Sequence, residues 1–141
     1  MERSLPMQDN TITLSVDEAN DGVTTADVDH IYQRFDSFST RSLYHHNGHE
    51  PDMRDMLGFY RTAAKRNGNN RGSQRSSFKF TKDVEVTGVD GNTVITPMYF
   101  EVNASIPLGV SDADIMKERQ KCISLLDDDS IMTPLNTDLS I

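Results

Sequence analysis

The sequence predicts an α+β chain in which an N-terminal β-hairpin and an antiparallel β-meander precede two C-terminal α-helices. Three observations carry that expectation. Two long period-two runs, over 76–86 and 93–106, are joined through Asp90-Gly91. A cluster of turn formers, Asn67-Gly68-Asn69-Asn70-Arg71-Gly72, stands ahead of them. A Ser111-Asp112-Ala113-Asp114 helix start, followed by apolar residues at helical spacing, stands after them.

The elements follow in order. Thr11 to Val16 alternates β-branched and apolar residues with polar ones, and Asn20-Asp21-Gly22 follows within a few residues, so a strand, a turn and a second strand from near Val23 are predicted. From Gln33 to Asp52 the pattern dissolves into Ser, His, Asn, Gly and Pro, which reads as a long loop or a broken strand. Met56 to Arg66 reads as a strand entering the Asn/Gly turn, whose residues tolerate positive φ. In the next strand Phe78, Phe80, Val84 and Val86 share one parity, while Ser77, Lys79, Thr81, Asp83 and Glu85 share the other. Asp90-Gly91 between valines signals a hairpin. The last strand puts Val94, Met98, Phe100, Val102, Ala104 and Ile106 on one side and Tyr99, Glu101, Asn103 and Ser105 on the other. Pro97 cannot donate to a ladder and belongs at an edge, a bulge or a strand start.

Ser111 caps a helix predicted over Asp112–Leu126, with acids in the first turn where they complement the macrodipole. Ile115, Met116, Cys122, Ile123 and Leu126 form its apolar stripe, and Cys122 is expected to be a small buried helix residue. Asp127 to Asp129 end the helix, because negative charge is unfavourable at a helix C-terminus. A second helical turn is predicted around Ile131 to Leu135. The chain then reads as a single domain over 1–141, with a hairpin region to about residue 32, a loop insertion over 33–52, the meander over 53–107, and helices with a tail over 111–141.

Composition narrows the function. At 141 residues the chain fits one domain, but 35% hydrophobic residues is low for a self-sufficient monomer, so some apolar surface is expected to meet a partner. The formal charge of −8 is unevenly spread: Arg54 to Lys82 carries eight basic residues and one acid, net +7, and the rest carries −15. A cationic segment within an acidic chain fits one face that meets a polyanion, although a solvated charged hairpin would have the same composition. Cys122 is the single cysteine, which excludes an intramolecular disulfide and a thiolate zinc cluster. No run reaches the roughly 18 apolar residues of a membrane span, and residues 1–10 lack the basic start and apolar stretch of a signal peptide. Neither a Gly-rich phosphate loop, a nucleophile elbow nor a Cys/His arrangement is present, so no enzyme and no cofactor are expected. His45, His46 and His49 with Glu50 and Asp52 have a spacing compatible with zinc, and Asp127, Asp128 and Asp129 with calcium; a hydrophilic loop and an acidic helix end account for both without a metal.

From Tyr99 the chain reads Tyr-Phe-Glu-Val-Asn-Ala-Ser-Ile-Pro, then a short Ser-Asp loop, a helix ending in Leu-Leu, acidic residues and a small Pro-containing tail. This resembles the last strand and helical pair of the coat proteins of single-stranded RNA bacteriophages, the leviviruses. Arg61-Thr-Ala-Ala-Lys-Arg-Asn-Gly and Lys79 to Val86 resemble that family's preceding hairpin, and Thr11 to Ala19 its N-terminal strand. The resemblance covers most of the chain except 33–52. It rests on the order of the motifs more than on any one of them.

The resemblance implies a homodimer whose two meanders form one continuous sheet, with the C-terminal helices of each subunit crossing onto its partner. It further implies an icosahedral shell (T=3) in the virion, assembled in the bacterial cytoplasm. The other side of the sheet would bind a genomic RNA hairpin for packaging and translational repression, with no membrane or small-molecule partner. Asp90-Gly91-Asn92 would form a loop at the shell's symmetry axes.

On the polar parity, Lys79 and Thr81 are then expected beside Arg61 and Lys65, with Tyr99 and Glu101 from the last strand. Arg and Lys would neutralise phosphates, and Tyr99 falls where the family places a base-stacking tyrosine. Glu101 departs from the family's amide; as a carboxylate it accepts from a base amino group and repels phosphate, which implies a different preferred hairpin. Asp83 adds a second carboxylate on that parity. Arg66, Arg71 and Arg75 read as turn and rim residues. The competing reading is a dimeric β-sheet RNA-binding regulator that forms no shell.

Overall fold

The computed structural model describes residues 10–20, 22 and 27–138. Six strands follow one another in a single sheet of order β1-β2-β3-β4-β5-β6: β1 Thr11–Val16, β2 Val28–Ser37, β3 Arg41–His46, β4 Asp55–Thr62, β5 Ser73–Thr87 and β6 Thr93–Pro107. Strands β1 to β5 pair antiparallel, and each strand lies beside its sequence neighbours, as short connections favour. Helices α1 Asp112–Leu126 and α2 Asp129–Thr133 follow, then a π-helical turn over Pro134–Asp138.

The first hairpin forms as its alternation predicts, with Thr11 opposite Gln33 and Val16 opposite Val28. Its loop is held where the sequence placed a turn: the Asp17 carboxylate accepts from the Gly22 N–H at 2.8 Å, and Asn20 adopts a positive φ of 54°. Asp21 and the strand start predicted near Val23 lie outside the described residues, and β2 is described from Val28.

The loop predicted over 33–52 is corrected by the structure. Residues through Ser37 complete β2, and Arg41–His46 form β3, which pairs with β2 on one side and β4 on the other. The alternation was hidden for two physical reasons. The register shifts between Arg34 and Asp36, and such a bulge breaks a period of two. The strand also carries His45 and His46 in sequence, which point to opposite faces and pack as aromatic rings, although their composition reads as hydrophilic. The segment after β3 turns through a Glu50–Met53 bridge into β4.

Strand β4 ends at Thr62, earlier than the predicted Arg66, and an Asn67–Asn70 bridge closes the turn before β5. Gly72 there has φ 86°, where a side chain would collide with the Lys65 backbone. The Asp90-Gly91 hairpin is present: Gly88 N–H donates to Asn92 O at 2.7 Å, and Gly91 has φ 83°. Asn92 donates to the Asp90 carboxylate from its backbone and side chain, holding that carboxyl below its usual range. Pro97 sits in β6, the edge strand, where a missing N–H is tolerated.

Directly opposed residues of antiparallel strands share a face. One face therefore carries Ile12 and Leu14 of β1, Tyr32 of β2, Tyr44 of β3, Leu57 and Phe59 of β4, and Phe78 and Phe80 of β5. This is the core: Tyr44 is wholly buried, Leu57 and Tyr32 nearly so, and the others pack against them. The rings meet edge to face, Tyr44 with Phe59 at 5.6 Å and Tyr32 with Phe80 at 6.1 Å between centroids, the geometry that aromatic quadrupoles favour. Burial, with Asp55 nearby, pushes the Tyr32 hydroxyl up to about 12.

The chain divides into two compact units, the sheet (described parts of 1–63 with 75–105) and a second unit formed by the described parts of 64–74 and 106–141. Within the second unit, Leu108 N–H donates to Gly72 O at 3.0 Å. Ser111 caps α1 by accepting from the Asp114 N–H at 3.2 Å, and Asp127 closes the helix, both as predicted. Asp128 belongs to the next element: its carboxylate accepts from the Ser130 N–H at 3.0 Å and caps α2, which begins at Asp129, two residues before the predicted turn. The predicted burial of Cys122 does not occur, since the residue is exposed and α1 has no buried side chain.

Candidate nucleic-acid interface

The face opposite the core is built from the alternate residues of the same strands. Register places Met56, Gly58, Tyr60 and Thr62 of β4 across from Thr81, Lys79, Ser77 and Arg75 of β5. At its centre the Lys79 ammonium lies between two phenol rings, 5.2 Å from the Tyr99 centroid and 5.9 Å from that of Tyr60. A cation over an aromatic face is attracted by the ring quadrupole. Lys79 makes no ion pair among the described residues, so its charge is available to an incoming anion.

Gly58 explains where Tyr60 lies. A Cβ on that residue would come within 2.7 Å of the Tyr60 hydroxyl oxygen and 2.8 Å of its ring, so the phenol lies across the glycine. A glycine within a strand often marks such a close approach. Beside Tyr60 an open depression of about 370 Å³ is lined in part by Arg75, Ser77, Asn103 and Ser105.

Below Tyr99 the carboxylate of Asp83 is only 8% exposed and is matched by Arg54. The guanidinium donates in two parallel bonds, Nε to Oδ2 at 3.0 Å and a terminal nitrogen to Oδ1 at 3.1 Å, and the Arg54 backbone N–H adds a third at 2.9 Å. Charge-assisted donors stabilise the ionised acid, so Arg54 holds the Asp83 carboxyl below its ordinary value, and Asp83 in turn holds the guanidinium charged. Tyr99 lies near enough to the same guanidinium to add, after Asp83, to the upward shift of its pKa. The Asp83 charge is therefore matched within the face by Arg54.

Of the six residues named from sequence, Lys79, Thr81 and Tyr99 come together, with Glu101 next on the Tyr99 parity of β6. Tyr99 is 54% exposed, whereas Thr81 is 8% exposed and has little surface open to a partner. Arg61 does not join them. It shares the parity of Leu57 and Phe59, pairs with Ser76, and donates from Nε to Ser39 O at 2.9 Å, so it lies on the core side of the sheet. Lys65 is exposed beyond the end of β4, in the second unit. Tyr60 and Arg54 take the places expected for Arg61 and Lys65. The continuous run Met56-Leu57-Gly58-Phe59-Tyr60 has no polar member to reveal its parity, so its one legible signal was the glycine inside a strand.

Of the four histidines, His30 and His46 share the core side, with Nδ1 and Nε2 at 2.8 Å, and His30 also bonds Glu18. His45 lies on the opposite side, stacked between Phe35 and His49. No group of three or more His, Cys, Asp or Glu among the described residues is arranged to hold a metal ion.

Comparison with solved structures defines the fold class. The chain is similar to the subunit of the virus-like particle of bacteriophage AVE019, with a TM-score of 0.73 and 17% identity over 96% of this chain and 99% of that one. It is similar to the subunit of the virus-like particle of Beihai levi-like virus 32, at 0.69 and 16% identity over 79% and 88% of the two chains. It also resembles the bacteriophage EMS014 coat protein, at 0.56 and 16% over 84% and 73%. No family model and no curated protein matches the sequence. The fold of this chain, a six-stranded antiparallel sheet followed by two C-terminal helices, is that of levi-like phage coat subunits.

Proposed function

We propose that this chain is the coat protein of an RNA bacteriophage, a non-enzymatic subunit that pairs with a second copy, assembles into an icosahedral shell and meets RNA on the Lys79–Tyr99 face. One observation carries the reading: in a chain with the fold of phage particle subunits, the longest edge strand and the longest helix are both left uncovered. Strand β6 has 15 residues at the sheet's edge with Val94, Ile95, Met98 and Phe100 exposed. The 15-residue helix α1 has no buried residue, and Met116, Ile123, Leu125 and Leu126 are exposed. An open edge of that length invites pairing with another chain, and apolar surface on this scale marks an interface. A second copy supplies both covers through a two-fold contact in which β6 meets β6 and the helices are exchanged.

The RNA side of the proposal rests on Lys79 for phosphate and on Tyr99 and Tyr60 for bases. Glu101 accepts from a base amino group, and Thr81 holds the floor beneath them. Within that reading the RNA is a genomic hairpin whose capture both marks it for packaging and blocks translation.

The test is electron microscopy of the recombinant protein, with extraction of any enclosed nucleic acid. Uniform closed particles containing RNA are the expected result. A small dimer that binds RNA at physiological salt and never closes into particles would favour the regulator.

A further inference from the structure

The RNA face proposed above draws its residues from β4 to β6, yet the same side of the sheet continues across β3 to β2. In the row that contains Thr81, register runs from Thr81 to Met56, from Met56 to His45 and from His45 to Gln33. Here three rings form a column. Phe35 stacks on His45 with centroids 3.7 Å apart and planes 20° from parallel, and His45 stacks on His49 at 3.8 Å and 8°. Phe35 shares the parity of Gln33, which is paired with His45, so its ring is on the His45 side at the bulge between Arg34 and Asp36. The column borders an open depression of about 380 Å³ whose lining also includes the carboxamide residues Gln33 and Asn47.

We infer that this column is a second base-stacking site, which takes an unpaired nucleobase of single-stranded RNA against Phe35, with Gln33 and Asn47 at its edge. The inference rests on the reading of this face as the RNA side and extends it by two strands. Three features select a base over a phosphate. The rings are planar and parallel, and every base offers a π-face to such a surface. The carboxamides supply both donors and acceptors, as base edges require. Burial and the neighbouring His49 lower the affinity of His45 for a proton, so the central ring stays uncharged at neutral pH. Phe35, at an open end of the column and 45% exposed, is the ring a base can reach. Its removal leaves the core of Tyr32, Tyr44 and Leu57 untouched.

The test measures fluorescence anisotropy of a labelled ten-nucleotide oligoadenylate, and of an abasic strand of equal charge, on the full-length unassembled chain. The variants are Phe35→Ala, Phe35→Leu and Tyr99→Ala. Phe35→Ala is expected to weaken oligoadenylate binding by at least about fivefold, leave the abasic strand unaffected, and leave the salt dependence unchanged. Phe35→Leu is expected to be equally weak, since it keeps apolar bulk without a π-face. Ultraviolet cross-linking followed by mass spectrometry is expected to place adducts on the column in the parent protein. If Tyr99→Ala weakens binding and Phe35→Ala binds as the parent, or if leucine restores binding, the column site is overturned and the RNA face stands. If the parent binds neither strand, both fall together.

Discussion

Adding one methyl group at Gly58 tests how the candidate face is assembled. The residue is buried and lies outside the left-handed φ region, so alanine suits its backbone and should gain about 0.5–1 kcal/mol over glycine in a strand. Its Cβ, however, would sit 2.7–2.9 Å from the Tyr60 hydroxyl oxygen and two ring carbons, inside any normal contact distance. The obstacle is the far end of a side chain, so the ring is expected to swing out. That movement gives up a cation–π contact with Lys79 worth about 0.5–1 kcal/mol. It also uncovers roughly 40 Å² of apolar ring at about 25 cal/mol per Å², or about 1 kcal/mol. These terms nearly cancel, and Gly58→Ala should unfold within about 1.5 kcal/mol of the parent in urea titration. RNA binding should change far more, because one of the two rings beside Lys79 is gone; a stacked base contributes about 1–3 kcal/mol, so affinity should fall roughly 5- to 150-fold. A loss of stability above about 3 kcal/mol would mean that the ring is locked in place and cannot swing out. Unchanged RNA affinity with the ring displaced would refute the role given to Tyr60.

Two further expectations follow from the same face. Tyr99→Ala should weaken RNA binding by about 1–3 kcal/mol while particles still form, checked by filter binding and electron microscopy; equal loss of both would contradict the separation of the RNA face from the assembly contacts. Because Arg54 depresses the Asp83 carboxyl relative to its ordinary 3.8, the stability it contributes is present above that value and is lost as pH falls through the lower folded value. Arg54→Ala should therefore flatten the fall in Tm below about pH 4, and an unaltered Tm profile between pH 2 and 5 would argue against the coupling.

What the sequence made legible was local and periodic. The α1 boundaries, the Ser111 cap, the Asp90-Gly91 hairpin and the parity of Phe78 and Phe80 all rest on interactions a few residues long, and the structure contains them. Strand β3 was illegible because a bulge at Phe35 shifts the register and because adjacent histidines face both sides of the sheet. Arg61 was assigned to the wrong side since an unbroken apolar run carries no parity, and only pairing with Ser76 reveals its face. The part-buried Arg54–Asp83 pair joins residues far apart in sequence, and no periodicity announces such a contact. Cys122 fits the apolar stripe of α1, but among the described residues that stripe has no buried member.

The exposed α1 stripe and the open β6 edge are both accounted for when a second copy covers them. The most direct measurement is the native mass of the smallest folded species when assembled material is dissociated by mild acid or low concentrations of urea. The expected species is a dimer of twice the 15.9 kDa chain mass that unfolds in one concentration-dependent transition. A folded 15.9 kDa monomer, stable to dilution and retaining its helical signal, would contradict it.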